Sequence, residues 1–274
     1  MAKSGSLSIV HPTSFSSAGQ DAFIHALRIA LAARCELHLL PLDQGPSFDP
    51  FPYVRAHLVA WGLMKESEFR ADAERRFGFR IGPCDLFDGP SPATMLAFIE
   101  KLAGELLILG AEGPAGWSRL REGSMNANSS QKVGKSTLFM TPRSRGFVDP
   151  SNGDLILNRV LMPIDHHTPH ARALDRASDL LNLLNPDGVE IYLLHVGKDL
   201  PAVRPSKPIA GKIRVELRSG PVAPAILAAA DDLGVDLVAM PTAGNYGVLD
   251  ALRGSVTERI LHLAPVPVLA IPAR

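Results

Sequence analysis

Short apolar runs alternate along this chain with longer stretches whose apolar residues recur at helical spacing. Residues 7–11 and 36–42 read as strands, separated by a helix over 20–34 that places Phe23, Leu27, Ala30 and Leu31 on one face. A Pro/Gly-rich loop at 44–52 precedes a charged helical stretch at 53–77 and a strand at 79–87, interrupted by Gly82 and Pro83. A helix over 92–102 closes at Gly104, a residue suited to a C-terminal cap, and strands at 106–109 and 137–140 end the first half. Residues 142–154 lose all periodicity and read as the linker. The pattern then restarts, with strands at 159–164, 190–196, 212–218, 236–240 and 268–271 and helices at 171–184, 221–233 and 248–263. Between the second and third strands the halves differ. The first has a helical stretch there, whereas residues 198–211 carry Pro201, Pro205 and Pro208 and read as a loop. Strands alternating with helices predict an α/β fold with open parallel sheets, made twice.

A spacing motif strengthens the reading of a duplication. Gly110-x2-Gly113-x9-Gly123-Ser124 follows the apolar run 106–109, and Pro241-x2-Gly244-x9-Gly254-Ser255 follows the run 237–240. A strand, a glycine turn and a helix N-terminus together offer backbone N–H groups and a positive dipole end to an anion. Ser124 and Ser255 suit both a helix N-cap and a phosphate contact. Arg119 and Arg121 lie within the same turn, as phosphate partners or as solvated side chains.

With this order of elements, the chain resembles the universal stress protein family in its tandem, two-domain form. The likeness rests on Val160-Leu161-Met162-Pro163-Ile164-Asp165, on Gly220-Pro221-Val222-Ala223-Pro224-Ala225-Ile226, and on Gly254-Ser255-Val256-Thr257-Glu258-Arg259-Ile260 through Pro265-Val266-Pro267-Val268-Leu269. It covers the second half; the first half is more divergent. It implies two Rossmann-like, adenine-nucleotide alpha hydrolase-like domains, at 1–142 and 155–274, packed as a pseudo-dimer through their last strands. In ATP-binding members, the glycine motif holds phosphates and ribose. The aspartate after the first strand, here Asp165, meets the adenine with backbone at the end of the second strand, here Val196. The implied nucleotide-binding set is therefore Gly110, Gly113, Gly123, Ser124, Asp165, Val196, Gly244, Gly254 and Ser255. Each half departs from the full pattern. Ser14 stands where Asp165 stands in the second half, Glu112 puts a carboxylate in the first glycine turn, and Pro241 removes an N–H from the second.

Composition narrows the classes. Lys+Arg and Asp+Glu both total 28 and hydrophobic residues make up 46%, so neither a nucleic-acid partner nor a largely disordered chain is expected. Cys35 and Cys84, the only cysteines, form no CxxC motif and read as buried small hydrophobes. Residues 1–8 lack the apolar core of a signal peptide and no run is long enough to span a membrane, which predicts a cytoplasmic protein. Gly134-Lys135-Ser136-Thr137 imitates a P-loop, but Ser129 stands where its first glycine belongs, and the segment precedes a strand. His166, His167 and His170 follow Asp165 and are weak candidates for a metal; surface or adenine-side packing is the simpler expectation. His11 lies on the first strand, and His195, near a strand end, reads as a core or sheet-edge residue. No nucleophile–base pair is recognisable. Three readings follow: a stress-response or regulatory module binding ATP or another adenine nucleotide, a nucleotide-free interaction module with degenerate sites and a protein partner, and a slow ATP hydrolase. Association of two chains into a homodimer stays open beside all three.

Overall fold

The computed structural model describes residues 7–13, 19–41, 48–82, 99, 106–110, 135–168, 170–203, 205–206, 209, 211–242 and 255–273. By contact the chain forms two units, Met1–Gln131 with Val148–Asp154, and Lys132–Phe147 with Leu155–Arg274.

In the first unit, β1 (Ser8–Thr13), β2 (Glu36–Pro41), β3 (Arg80–Ile81) and β4 (Leu106–Leu109) form a parallel array in the order β3-β2-β1-β4. β1 and β4 are buried along their whole length. β4 accordingly runs apolar instead of alternating, whereas β1 also buries the polar Ser8, His11 and Thr13. Helix α1 (Gln20–Ala33) packs on β1, β2 and β4 through its buried face, which includes Phe23, Leu27, Ala30 and Leu31. It ends at Arg34, in the left-handed conformation at φ 50°.

The second unit has the order β5-β10-β9-β6-β7-β8. Its strands are β5 (Ser136–Phe139), β6 (Arg159–Ile164), β7 (Val189–Val196), β8 (Gly211–Arg218), β9 (Leu237–Thr242) and β10 (Val268–Pro272). All pair in parallel except β5 with β10. Helix α4 (His170–Leu184) packs on β9 and β10, whereas α5 (Val222–Asp232) packs on β6, β7 and α6 (Ser255–Leu263). Among the described residues no helix is long and apolar enough to cross a membrane.

The duplication extends to strand register. Ile9 faces Leu106 and Leu37, as Val160 faces Leu237 and Ile191. The glycine motifs recur at an offset of 131 residues, from Gly110 to Pro241. That offset also carries Leu138 to Leu269, and these two face each other in the antiparallel β5–β10 pair. The expected pairing of the two last strands is thus present, centred on equivalent residues. It leaves neither strand with a free edge on that side.

One local expectation is corrected, one falls largely outside the described residues, and the segment 142–154 shows more order than its lack of periodicity announces. The helical stretch at 53–77 is two helices, α2 (Phe51–Ala60) and α3 (Arg70–Phe77). Gly62 takes φ +68°, and its N–H reaches Val59 O at 2.9 Å while Leu63 N–H reaches Leu58 O at 2.9 Å. This is the paired closure that ends a helix at a left-handed glycine. The chain re-enters a helix when the Asp72 carboxylate accepts the Phe69 N–H at 3.0 Å. Strand β3 is described only over Arg80–Ile81; residues 83–87 and the expected helix at 92–102, apart from the buried Ile99, lie outside the described residues. Finally, the aperiodic segment 142–154 is held by hydrogen bonds. In the second unit, Arg145 donates from its backbone to Pro265 O and from its guanidinium to Val235 O. In the first, Trp61 Nε1 donates to Pro150 O at 3.0 Å and Arg28 Nε to Gly153 O at 2.7 Å.

Gly153 takes φ +74°, and a Cβ there would lie 2.6 Å from the Trp61 ring. Gly153→Val is therefore expected to destabilise the first unit by about 2–4 kcal/mol through backbone strain and displacement of the indole. Urea unfolding followed by Trp fluorescence measures this; an unchanged midpoint would contradict the clamp.

The first unit also carries an acid sensitivity. Burial holds His11 and His25 neutral and lowers each from the usual 6.5 to about 4, against the raising effect of bonds to Ile108 O and Asp21 O. Protons then bind the unfolded chain first as pH falls below 6.5. Stability is full above that value and declines towards pH 4, by up to about 3 kcal/mol per histidine. Urea midpoints measured across this window should fall with pH, and His11→Leu or His25→Leu should flatten the slope.

Candidate functional site

Strand β6 hydrogen-bonds β7 on one edge and β9 on the other. The chain therefore leaves the end of β6 towards one side of the sheet and returns on the other side at β9. The carboxyl ends of two such strands frame a crevice at the reversal, the usual ligand position in open α/β sheets. β1, set between β2 and β4, creates the same arrangement in the first unit.

Asp165 is the first residue beyond β6 at that crevice, and Val196 ends β7 beside it, since Ile164 faces His195 in the register. The Asp165 carboxylate closes a tight loop. Oδ1 accepts the N–H groups of His167 and Thr168, both at 2.7 Å, and Oδ2 accepts the Thr168 hydroxyl at 3.0 Å. Partial burial raises the pKa of the carboxyl group, but the Thr168 and His167 N–H groups and the Thr168 hydroxyl outweigh it and hold the pKa below the ordinary value. The side chain stays about half exposed. It can accept a further donor from the crevice through lone pairs that the loop leaves free.

The histidines divide their roles. His170 opens α4, and its Nε2 lies 2.7 Å from both the backbone N and O of Asp165. This buried ring fixes the backbone that carries the aspartate. His166 instead meets the His195 ring edge-on at 5.1 Å and places Nε2 2.8 Å from Asp199 O. His195 Nδ1 lies 3.0 Å from Ile164 O, as a buried sheet histidine. Among the described residues no three His, Cys, Asp or Glu side chains converge on a metal position. His167 contributes its backbone to the Asp165 loop. The contact between Asp165 and Thr168 had a signal in the sequence, since an aspartate followed by a threonine three residues on is a local capping pattern; that of His170 had none.

The glycine turns are framed but not described. Gly110 directly follows β4 and is buried, whereas in the second unit β9 continues through Pro241 and Thr242. Pro241, lacking an N–H, thus sits inside a strand where Gly110 has already left one. Gly113, Gly123, Ser124, Gly244 and Gly254 lie outside the described residues, as do Ser14 and Glu112. Ser255 is the first residue of α6, so a helix N-terminus follows the second turn. Ser136 and Thr137 lie in β5, so the Lys135-Ser136-Thr137 segment enters a strand and not the helix a P-loop requires. Cys35 is buried; desolvation foremost, then Glu36, pushes its thiol up to about 12, which excludes a thiolate nucleophile there. Within residues 198–211, the Asp175 carboxylate on α4 accepts the Ser206 N–H at 3.0 Å and the Ser206 hydroxyl.

A mostly parallel sheet covered by crossover helices, with a strand-order reversal at β1 and again at β6, defines a Rossmann-like α/β fold. Residues 202–272 match the model of the Universal stress protein family, which bears out the resemblance read from the sequence. The fold is similar to that of a universal stress protein from Archaeoglobus fulgidus DSM 4304, at TM-score 0.63 and 16% identity over 98% of this chain and 100% of that one. It is similar too to a functionally unknown protein from Pseudomonas aeruginosa PAO1, at TM-score 0.60 and 14% identity over 98% of this chain and 93% of that one. At these identities the likeness establishes the fold. No curated protein matches the chain by sequence.

Thr168→Val should raise the Asp165 pKa towards the ordinary carboxylate range, because it deletes the hydroxyl donor to Oδ2. Carboxyl-carbon NMR titration reads the shift directly; an unmoved Asp165 would show that the loop does not hold its charge.

Proposed function

We propose that this chain is a stress-response or regulatory module that binds ATP or another adenine nucleotide, with domains at 1–142 and 155–274 each built around one site. The observation that carries the reading is the doubled strand–glycine turn–helix spacing set at a strand-order reversal. Asp165, half exposed at the end of β6, would accept from the adenine amino group, with the Val196 backbone beside it. Gly244, Gly254 and Ser255 would meet ribose and phosphate at the N-terminus of α6. In the first unit, Gly110, Gly113, Gly123 and Ser124 form the corresponding set. The halves then divide the work: the first holds the triphosphate better, since each glycine keeps its N–H, and the second discriminates adenine better through Asp165.

One observation favours a second reading, an interaction module without nucleotide. Asp165 already accepts three donors from its own loop, and Pro241 lies within β9. A ligand would have to compete with, or add to, a satisfied carboxylate. An ATP hydrolase has the least support, because among the described residues no side chain stands out as a general base.

Mass spectrometry of small molecules released from the freshly purified, denatured protein separates the first two readings. Adenine nucleotide at near-stoichiometric yield is expected; an empty protein that also ignores added ATP would overturn nucleotide binding. Calorimetry on Gly123→Val and Gly254→Val then assigns the sites, since a β-branched side chain blocks close approach of phosphate to backbone. Gly123→Val should weaken ATP binding by roughly ten- to a hundredfold. If Gly254→Val alone abolishes binding, the triphosphate belongs to the second unit.

A further inference from the structure

The two units differ most at the strand that ends the order β6-β7-β8. In the first unit, the connection between β2 and β3 carries α2 and α3, and Ile81 on β3 is 5% exposed. Ile81 faces Leu37 as Ile213 faces Ile191, so Ile213 holds the same register position in the second unit. Yet Ile213 is 39% exposed, and Val215 and Leu217, on the same side of the strand, are 54% and 48% exposed. The connection between β7 and β8 carries no helix among its described residues. Gly211–Arg218 is therefore an eight-residue terminal strand whose outer edge pairs with no strand among the described residues, with an apolar row facing solvent. Natural edges of this length are usually covered or broken.

We infer that β8 is the interface for a second copy of this chain, joined antiparallel along its outer edge. The sequence of the strand fits itself in one register. With Val215 opposite Val215 of the other copy, Ile213 meets Leu217, so the apolar rows align, and Arg214 meets Glu216 twice across the twofold. In that register the like-charged Lys212 and Arg218 meet only at the rims. Arg218 there already pairs with Asp232 at 3.0 Å, which lowers the repulsion at the rims; Arg214, which also meets Glu190 within its own chain, faces only Glu216 of the other copy. A strand of alternating charge and apolar residues that is complementary to itself points to its own copy as the partner, with the alignment fixed by the Arg214–Glu216 pairs.

Sedimentation velocity on the full chain at micromolar concentrations should show a dimer. Glu216→Arg, which sets cation against Arg214, and Val215→Lys, which places two ammonium groups at the axis, should each weaken association at least about tenfold. Circular dichroism checks that each variant is folded. A readout independent of those substitutions comes from cysteines. Val215→Cys should be captured as a dimer by a short thiol cross-linker, whereas Lys212→Cys, about 20 Å from its counterpart in this register, should not. A chain that stays monomeric overturns the inference. So does a dimer indifferent to both charge variants, or one captured equally from positions 212 and 215.

Discussion

The first strand of each unit is hydrogen-bonded on both edges, and the rest of the arrangement depends on that constraint. β1 lies between β2 and β4, and β6 between β7 and β9, in the same register. A strand paired in parallel on both sides cannot be reached by hairpins, so helical crossovers must cover it. It becomes the buried centre, with Ile9 and Val10 in β1 and Val160, Leu161 and Met162 in β6 fully buried. The same double pairing forces the chain to reverse its progress across the sheet. Polar residues just beyond the centre, Asp165 above all, come to lie where two strand ends diverge.

What happens beyond those strand ends is set by short-range chemistry. Asp165 sits in a loop closed by its own carboxylate, with His170 fixing the backbone behind it. This preorganisation has two sides. It holds an acceptor at the mouth of the crevice in one orientation, which favours selective binding. It also satisfies much of the carboxylate before any ligand arrives, which lowers what a ligand gains there. The two readings of function differ in which side dominates.

The units also show how one fold tolerates unequal coverage. The stretch between β2 and β3 is broken at Gly62 into two helices, and the edge residue Ile81 is buried. The proline-bearing stretch between β7 and β8 is tied by Ser206 to Asp175, and the edge residues Ile213, Val215 and Leu217 are exposed. The strand order survives because the central pairing does not depend on those connections.

Much of this was legible in the residue pattern. Runs such as 159–164 and 106–109 could only be buried strands, and the repeated glycine spacing announced the duplication. Both are local periodicities that burial and backbone geometry write directly into sequence. The break at Gly62 was less legible, because a charged amphipathic stretch hides a left-handed glycine until the closing hydrogen bonds are seen. The segment 142–154 looked like a linker for want of periodicity. Its order comes from Trp61, Arg28, Pro265 and Val235, partners distant in sequence that no local pattern reports. The sequence by itself determined the class of fold, the duplication and the placing of Asp165 at a strand end. Only the tertiary structure decided that Asp165 is held by Thr168, His167 and His170 and that β5 meets β10 at equivalent leucines. It also decided that β8 is left bare, because register, coverage and hydrogen-bond satisfaction are properties of which elements meet, not of any one of them.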